Sequence, residues 1–411
     1  METTNNPREI RGREIAQRYT IRQENNIWLV PSVSGKGKYK VNLGKSECNC
    51  PDYELRRERC KHVFAAQFAF EKDFLETILR EENPQPANPI TTYKKPAQNW
   101  TAYNKSQTCE KAEFQKLLAA LCQGVGEPAL PMKTRPRIAF EDMLFACVFK
   151  VFSTFSARRF TTDLKDAIAK GFISSPIHYN TILRYFEYEA LTPHLKMMIE
   201  ESSLPLAALE KNFAVDASGL STTQGFTWLH AKFTEPRLIE KRDWLKIHIC
   251  VGTLTNIITA VEVTDRYEHD THYFKPLVET TAQNFEMNEI SADKAYLSKV
   301  NLQTAVDNNA FPYIAWKANN KINLKEGDSL WNKFFHYYSL NREKFLERYH
   351  QRSNVESTFS MLKAKFGGSL RSKNRTAQIN EALCKVLAHN ICVLIQSMNE
   401  LEIKPEFWKE I

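Results

Sequence analysis

The stretch Tyr349-His-Gln-Arg-Ser-Asn-Val-Glu-Ser-Thr-Phe-Ser-Met-Leu-Lys363 decides how the rest of the chain is read. On an α-helix at about 100° per residue, Tyr349, Arg352, Glu356 and Lys363 fall at about 0°, 300°, 340° and 320°. They share one narrow stripe. Val355, Phe359, Leu362 and Phe366 fall at about 220–280°, an apolar stripe directly beside it. Ser353, Asn354, Ser357, Ser360 and Lys365 take the remaining face. An ordinary surface helix has two faces, and this one has three. The extra stripe sets one carboxylate among cations and a phenol at the rim of a core. That suits a carboxylate that holds a metal ion while its neighbours hold phosphates.

The surrounding charge agrees. From Phe345 to Arg375 there are seven cations (Arg348, Arg352, Lys363, Lys365, Arg371, Lys373 and Arg375) against Glu347 and Glu356, a net +5 in 31 residues. The whole chain carries only +8 over 411 residues. The excess is therefore concentrated where a polyanion would dock. A length of 411 residues with 43% hydrophobic and 25% charged residues suits a globular protein of two or three domains. No apolar run reaches the roughly 18 residues of a membrane span. The start, Met1-Glu-Thr-Thr-Asn-Asn-Pro7, lacks a secretory pattern, and nine scattered cysteines fit a reducing compartment. A cytoplasmic protein is expected.

Upstream, the period of the pattern changes along the chain. Residues 1–82 read as a small α+β unit. Its strand candidates are Thr20–Arg22, Ile27–Val30 and Tyr39–Leu43, its turn Gly35–Lys38, and its helix runs from about Lys61 to Arg80. Three prolines in Asn83–Pro89 begin a linker over 83–109. Residues 110–205 are helical, and His178–Tyr188 would expose Tyr179, Asn180, Thr181 and Arg184 as in a helix-turn-helix DNA reader. The rival is an ordinary bundle. From Phe213 the pattern gives strands at 213–218, 246–252 and 257–263, then a helix at 272–283 capped by Asp270 or Thr271. A strand at 288–293, a helix at 298–307, a strand at 311–316 and the long Glu356 helix follow. An apolar helix, Ile379–Met398, packs back, and 400–411 is a tail. The order β-β-β-α-β-α-β-α predicts an α/β fold, a ribonuclease-H-like mixed sheet flanked by helices over 206–399.

The spacing Tyr-x2-Arg-x3-Glu-x6-Lys resembles the signature of bacterial insertion-sequence transposases with an Asp-Asp-Glu active site. Gly367-Gly368 and Asp293-x-Ala-Tyr296 are similar to that family too, and the resemblance spans roughly Phe213 to Ile395. It implies two further aspartates at strand ends. Asp216 in Asn212-Phe-Ala-Val-Asp-Ala-Ser218 and Asp293 in Glu289-Ile-Ser-Ala-Asp293 fit. Asp216, Asp293 and Glu356 would then be catalytic and hold Mg²⁺ or Mn²⁺, two ions about 3.5–4 Å apart. Tyr349, Arg352, Lys363, Arg371, Lys373 and Arg375 would contact DNA. Trp316 is more simply a core residue than a base-stacking one. His269-Asp270-x-His272, between a strand and a helix, suits capping better than a metal.

Cys48-x-Cys50 with Cys60-x-His62 places four soft or borderline ligands in fifteen residues, enough to close a tetrahedral structural zinc site. Cys-x-Cys-x9-Cys-x-His resembles the SWIM-type zinc finger. Arg56, Arg57, Arg59 and Lys61 suggest a phosphate-facing finger, with a protein-binding finger as the rival. The other six cysteines read as small apolar residues. The expected activity is transposition: binding of a mobile element's inverted-repeat ends and target DNA, metal-dependent cleavage and strand transfer, as a homodimer on paired ends. The alternatives are a DNA-binding derivative that no longer cuts, and a metal-dependent nuclease without strand transfer.

Overall fold

A computed structural model describes residues 6–24, 27–33, 37–78, 99–126, 138–222, 243–317, 320 and 329–408. The chain divides into two compact units, Met1–Lys95 with Leu297–His350, and Pro96–Tyr296 with Gln351–Ile411.

The first unit opens with helix α1 (Pro7–Arg18), which hydrophobic periodicity does not announce, since only Gly12 and Ile15 are buried. Its start is marked instead by Asn6, whose side chain accepts the Arg8 N–H at 3.1 Å, and by Pro7 in the first turn. An antiparallel sheet follows in the order β1 (Arg22–Glu24), β2 (Ile27–Pro31), β3 (Lys38–Asn42) and β4 (Glu47–Cys48). The first strand thus lies later than Thr20–Arg22, and the Gly35–Lys38 turn falls partly outside the described residues. Helices α2 (Pro51–Arg56) and α3 (Lys61–Ile78) complete this part. α1 packs on α3. A Cβ at Gly12 would stand 2.5 Å from Phe64 Cβ, so only glycine allows this approach.

The same unit includes a helix (Lys299–Asp307), a strand (Phe311–Ile314) and helices Leu330–Leu340 and Arg342–Tyr349. Phe70 of α3 meets His336 edge-on at 5.7 Å, and the Asn341 amide donates to the Glu71 carboxylate at 3.1 Å. Trp316 is buried among Trp331, Phe335 and Tyr338, which supports the core reading and removes it as an exposed stacking surface.

The second unit begins with α4 (Trp100–Gln123), capped by the Asn99 side chain. The last ten of the 27 residues read as linker are therefore helix, and the proline cluster itself lies outside the described residues. Then come α5 (Phe140–Ser153), α6 (Ala157–Ala169), α7 (Tyr179–Tyr185) and α8 (Leu191–Ser203). Asp142 of α5 accepts the N–H and hydroxyl of Ser174 at 3.1 and 2.5 Å, which fixes the turn between α6 and α7.

Strands β5 (Asn212–Ser221), β6 (Trp244–Gly252), β7 (Ile258–Asp265) and β8 (Glu289–Ala292) lie in the order β7-β6-β5-β8. β5 runs antiparallel to β6 and parallel to β8. The β6–β7 turn is held by buried Glu210, which accepts the Thr255 N–H and hydroxyl at 2.6 and 2.7 Å. Before α9 (Phe274–Ala282), Asp270 opens a 3-10 turn rather than capping the helix. Its carboxylate accepts from Lys246 at 2.8 Å instead. Here an ion pair to the neighbouring strand wins over a local cap.

The C-terminal helix (Arg375–Glu400) explains why the helices of 110–205 and the sheet share one core, with Phe114, Phe149, Ile199, Ile249 and Leu387 all in it. Its buried polar side chains reach both. Asn390 accepts the Ile258 N–H at 3.0 Å and donates to Ser202 Oγ at 2.9 Å, and Asn380 donates to the Phe186 carbonyl at 2.8 Å. His389 contacts the Asn256 carbonyl through Nε2 at 2.9 Å. Burial pulls His389, and also buried His248, down to about 4. A folded-state value below the unfolded one means stability that is complete above about pH 6.5 and is lost as pH falls toward 4. The thermal midpoint should decline across that window, and less steeply in His389→Gln. Equal slopes would remove this assignment.

Candidate active site and metal centre

Asp216 and Asp293 come together through strand register. β5 and β8 are paired in parallel from Asn212↔Glu289 to Val215↔Ala292. The next residue on each strand is an aspartate, so both carboxylates stand beyond the last paired position of neighbouring parallel strands. Side chains alternate along β5, so Asp216 and Ser218 share a face. The Glu356 helix (Ser353–Phe366) packs on β5 through a core that includes Val355, Phe359 and Leu362.

Arg352 joins the helix to the strand. Its guanidinium donates to Asp216 Oδ2 at 3.1 Å and to Glu356 Oε1 at 2.5 Å. Asp216 Oδ1 accepts the Ala217 N–H at 2.9 Å, and Asp293 Oδ1 accepts the Lys294 N–H at 2.7 Å. Burial pushes the Asp216 carboxyl above its usual range, and Asp293 and Glu356 push it the same way. The Ala217 N–H and Arg352 oppose this. Asp216 is thus linked to Glu356 through Arg352 and is crowded by like charge, but among the described residues the three carboxylates do not form a closed ligand cluster.

Lys363 donates to Ser218 Oγ at 2.7 Å, two residues beyond Asp216 on the same strand face. Burial pulls its ammonium below the ordinary value. Lys365 points away and pairs with Glu110. The spread of Glu356, Lys363 and Lys365 around the helix is thus as the sequence predicts.

Tyr349 is a correction. The expected continuous helix is broken: one helix ends at Tyr349, residues 350–352 form a 3-10 turn, and a new helix starts at Ser353. A shared stripe for Tyr349, Arg352, Glu356 and Lys363 assumes one unbroken helix, and the 3-10 turn removes that premise. Tyr349 also belongs to the other compact unit.

After the helix, Gly367 takes φ +82°, which favours glycine, and redirects the chain. Ser369 then bridges Ser221 at the end of β5. Of the three basic residues that follow, Arg371 donates to the Phe155 carbonyl at 3.0 Å and Arg375 pairs with Asp265. Lys373 is exposed. Two buried groups missed by sequence reasoning hold this segment. Glu381 accepts the Arg371 and Ser372 N–H groups at 3.0 and 2.8 Å. Lys385 donates to the Gly367 and Ser369 carbonyls at 2.9 and 2.7 Å, and burial brings it to about 8. Their sole sequence signal is charge inside an apolar helix.

In the first unit, Cys48, Cys50, Cys60 and His62 are all buried, with their ligand atoms within 4.8 Å of one another. His62 Nδ1 faces Cys48 and Cys60 Sγ at 4.0 and 3.9 Å. Hydrogen bonding between Cys48 and Cys60 draws the Cys60 thiol down and pushes Cys48 up, and burial pushes Cys50 up as well. Three sulfurs and one imidazole in a closed, buried group fit structural zinc. His269 and His272 belong to no such cluster among the described residues. Arg56, Arg57 and Arg59 are exposed, although Arg56 also pairs with Asp52.

Residues 208–391 match the family of the transposase DDE domain, and residues 39–66 match the SWIM zinc finger. The first match contains Asp216, Asp293 and Glu356, and the second contains all four zinc-type ligands. The chain therefore carries a transposase domain of ribonuclease-H-like fold and a SWIM finger with a structural zinc centre. No described helix is long and apolar enough to cross a membrane.

Proposed function

We propose that this chain, which carries a transposase DDE domain and a SWIM zinc finger, cuts the inverted-repeat ends of a mobile element and joins them to target DNA. The observation that supports the reading is that Asp216 and Asp293 follow the last paired positions of adjacent parallel strands, while Arg352 ties Asp216 to Glu356. Asp216, Asp293 and Glu356 would hold Mg²⁺ or Mn²⁺. Such ions supply activation of the attacking oxygen and neutralise charge on the leaving one. Arg352 holds the two carboxylates in place and offers a planar fork to a phosphate. Ser218 orients the Lys363 ammonium toward the same face. Arg371, Lys373 and Arg375 extend the basic track, and Tyr349 precedes it in the chain. The helical region around α7 and the exposed arginines of the finger are the candidate end readers, on a homodimer that pairs the two ends.

Linear DNA carrying one element end, incubated with Mg²⁺ and a target plasmid, tests the proposal. Nicking at the end followed by joining to the plasmid is expected. Nicking without joining would reduce the activity to that of a nuclease, and binding without nicking to that of a DNA-binding derivative.

Lys363→Ala should weaken binding to end DNA and lower the slope of log K against log salt by about one unit, the loss of one phosphate contact. Lys365→Ala should leave that slope unchanged and lower the thermal midpoint instead, because its ammonium is committed to Glu110. Anisotropy titrations at several salt concentrations separate the two, and equal slope changes would overturn the assignment.

A further inference from the structure

We propose that Asn256, in the β6–β7 turn, is a positioning residue for Glu356 and sets the Glu356 helix from behind, through Thr358. The carboxylate end is weakly fixed by itself: the Glu356 side chain is 58% exposed and is held by Arg352. On the helix, Asn354 and Thr358 stand about 160° to either side of Glu356 and so share the opposite face. Both reach the turn. The Asn354 amide donates to the Thr253 carbonyl at 3.1 Å, and the buried Thr358 hydroxyl meets Asn256 Oδ1 at 3.2 Å. Thr358 Oγ1 also lies 3.0 Å from the Asn354 carbonyl. A hydroxyl has one proton. It donates to Asn256, or it donates to Asn354 and accepts from the Asn256 amide turned over. Both arrangements tie the helix to the turn.

The turn is itself anchored on three sides. The Thr253 N–H donates to the Asn212 carbonyl at 2.9 Å, at the start of the strand that carries Asp216. The Leu254 and Thr255 N–H groups donate to buried Glu210 at 3.2 and 2.6 Å. The Asn256 carbonyl accepts from His389 Nε2 of the C-terminal helix at 2.9 Å. Asn256 has φ +65°, a left-handed conformation that asparagine adopts more readily than most side chains. One residue thus turns its carbonyl to the C-terminal helix and its side chain to the Glu356 helix.

The strand and the helix are therefore joined close to both carboxylates. Asn212 lies four residues before Asp216, and Asn354 two residues before Glu356. A displacement of about 1 Å in a reacting group can cost on the order of 100-fold in rate. A loss at the turn should then appear in turnover and not in DNA affinity. This inference rests on the reading of Glu356 as catalytic.

The test uses the full zinc-loaded chain, linear DNA carrying one element end, and Mg²⁺. Thr358→Val keeps the shape of the side chain and removes the hydroxyl. Its kcat for nicking should fall about tenfold or more with KM for DNA unchanged, and Thr358→Ser should recover it. Asn256→Gly keeps the backbone conformation without strain and should reproduce the loss, which covers a valine variant that fails to fold. Hydrogen exchange should rise over residues 354–358 in both. Thr281→Val is the control for losing a buried helix hydroxyl. Thr281 lies on α9 and bonds the Leu277 carbonyl and Thr259 Oγ1 at 2.9 and 2.8 Å. This variant should lower the thermal midpoint and leave kcat unchanged. Parent-like kcat in both Thr358→Val and Asn256→Gly refutes the positioning role and leaves the catalytic reading standing. An equal fall of kcat in Thr281→Val refutes it as well, by showing general loosening. If Glu356→Ala nicks like the parent, the catalytic reading falls and the positioning role falls with it.

Discussion

Replacing Asp216, Asp293 or Glu356 by alanine is expected to abolish end cleavage in Mg²⁺, by about 10³-fold or more, with DNA affinity held within a few-fold. The carboxylates bind metal and not bases, so cutting and binding should separate. A second readout does not depend on activity. Burial and two neighbouring carboxylates hold the Asp216 carboxyl above its usual range. A raised acid favours the fold while protonated, and that advantage disappears as pH rises through the folded-state value. Without metal at neutral pH, Asp216→Asn should therefore melt higher than the parent. Adding Mg²⁺ should raise the parent's midpoint and barely move the variant's. A triple-alanine protein that still nicks end DNA would remove the active-site assignment, and so would an equal Mg²⁺ response in parent and Asp216→Asn.

The second large effect is loss of zinc. Cys60→Ser, or prolonged chelation, should unfold the first unit, since binding energy at a closed Cys3His site is folding energy on the order of 10 kcal/mol. The unit is larger than a finger on a linker. α3 carries His62 at its start and meets the Leu330–Leu340 helix through Phe70 and His336. The Glu71 carboxylate also accepts from Asn341. Zinc removal should therefore raise hydrogen exchange over residues 330–349 as well as 37–78, while β5, β6 and the C-terminal helix stay protected. Protection of 330–349 in the zinc-free protein would restore the picture of an independent finger. One zinc per chain by elemental analysis is the accompanying expectation.

The two outcomes differ in how legible they were. The zinc ligands are readable because both pairs are local: Cys48 ends β4 with Cys50 two residues on, and Cys60 and His62 flank the first residue of α3. The strands carrying Asp216 and Asp293 are readable from alternation and from the turn residues beside them. The lower half of the signature is readable too, because Glu356 and Lys363 are seven residues apart on one unbroken helix. Tyr349 misled because a wheel assumes constant rotation, and nothing in the residues themselves announces the 3-10 turn at 350–352. α1 escaped notice because a helix that buries two residues leaves almost no periodic trace, although Asn6 and Pro7 mark its start.

What the sequence by itself determined is therefore local: the β-rich block after Phe213, the three-faced helix, the Cys–His spacing and the basic run around Glu356. Each depends on neighbours within one or two turns, where chain geometry alone sets which side chains share a face. Only the tertiary structure decided that Arg352 reaches Asp216, 136 residues away, and that α4 to α8 share a core with the sheet. It alone set the Arg371 and Ser372 N–H groups on the Glu381 carboxylate, and put the zinc centre in one unit with residues 297–350. These are partnerships of charge and packing between distant segments, and a charged residue in an apolar run does not name its partner until the chain has folded.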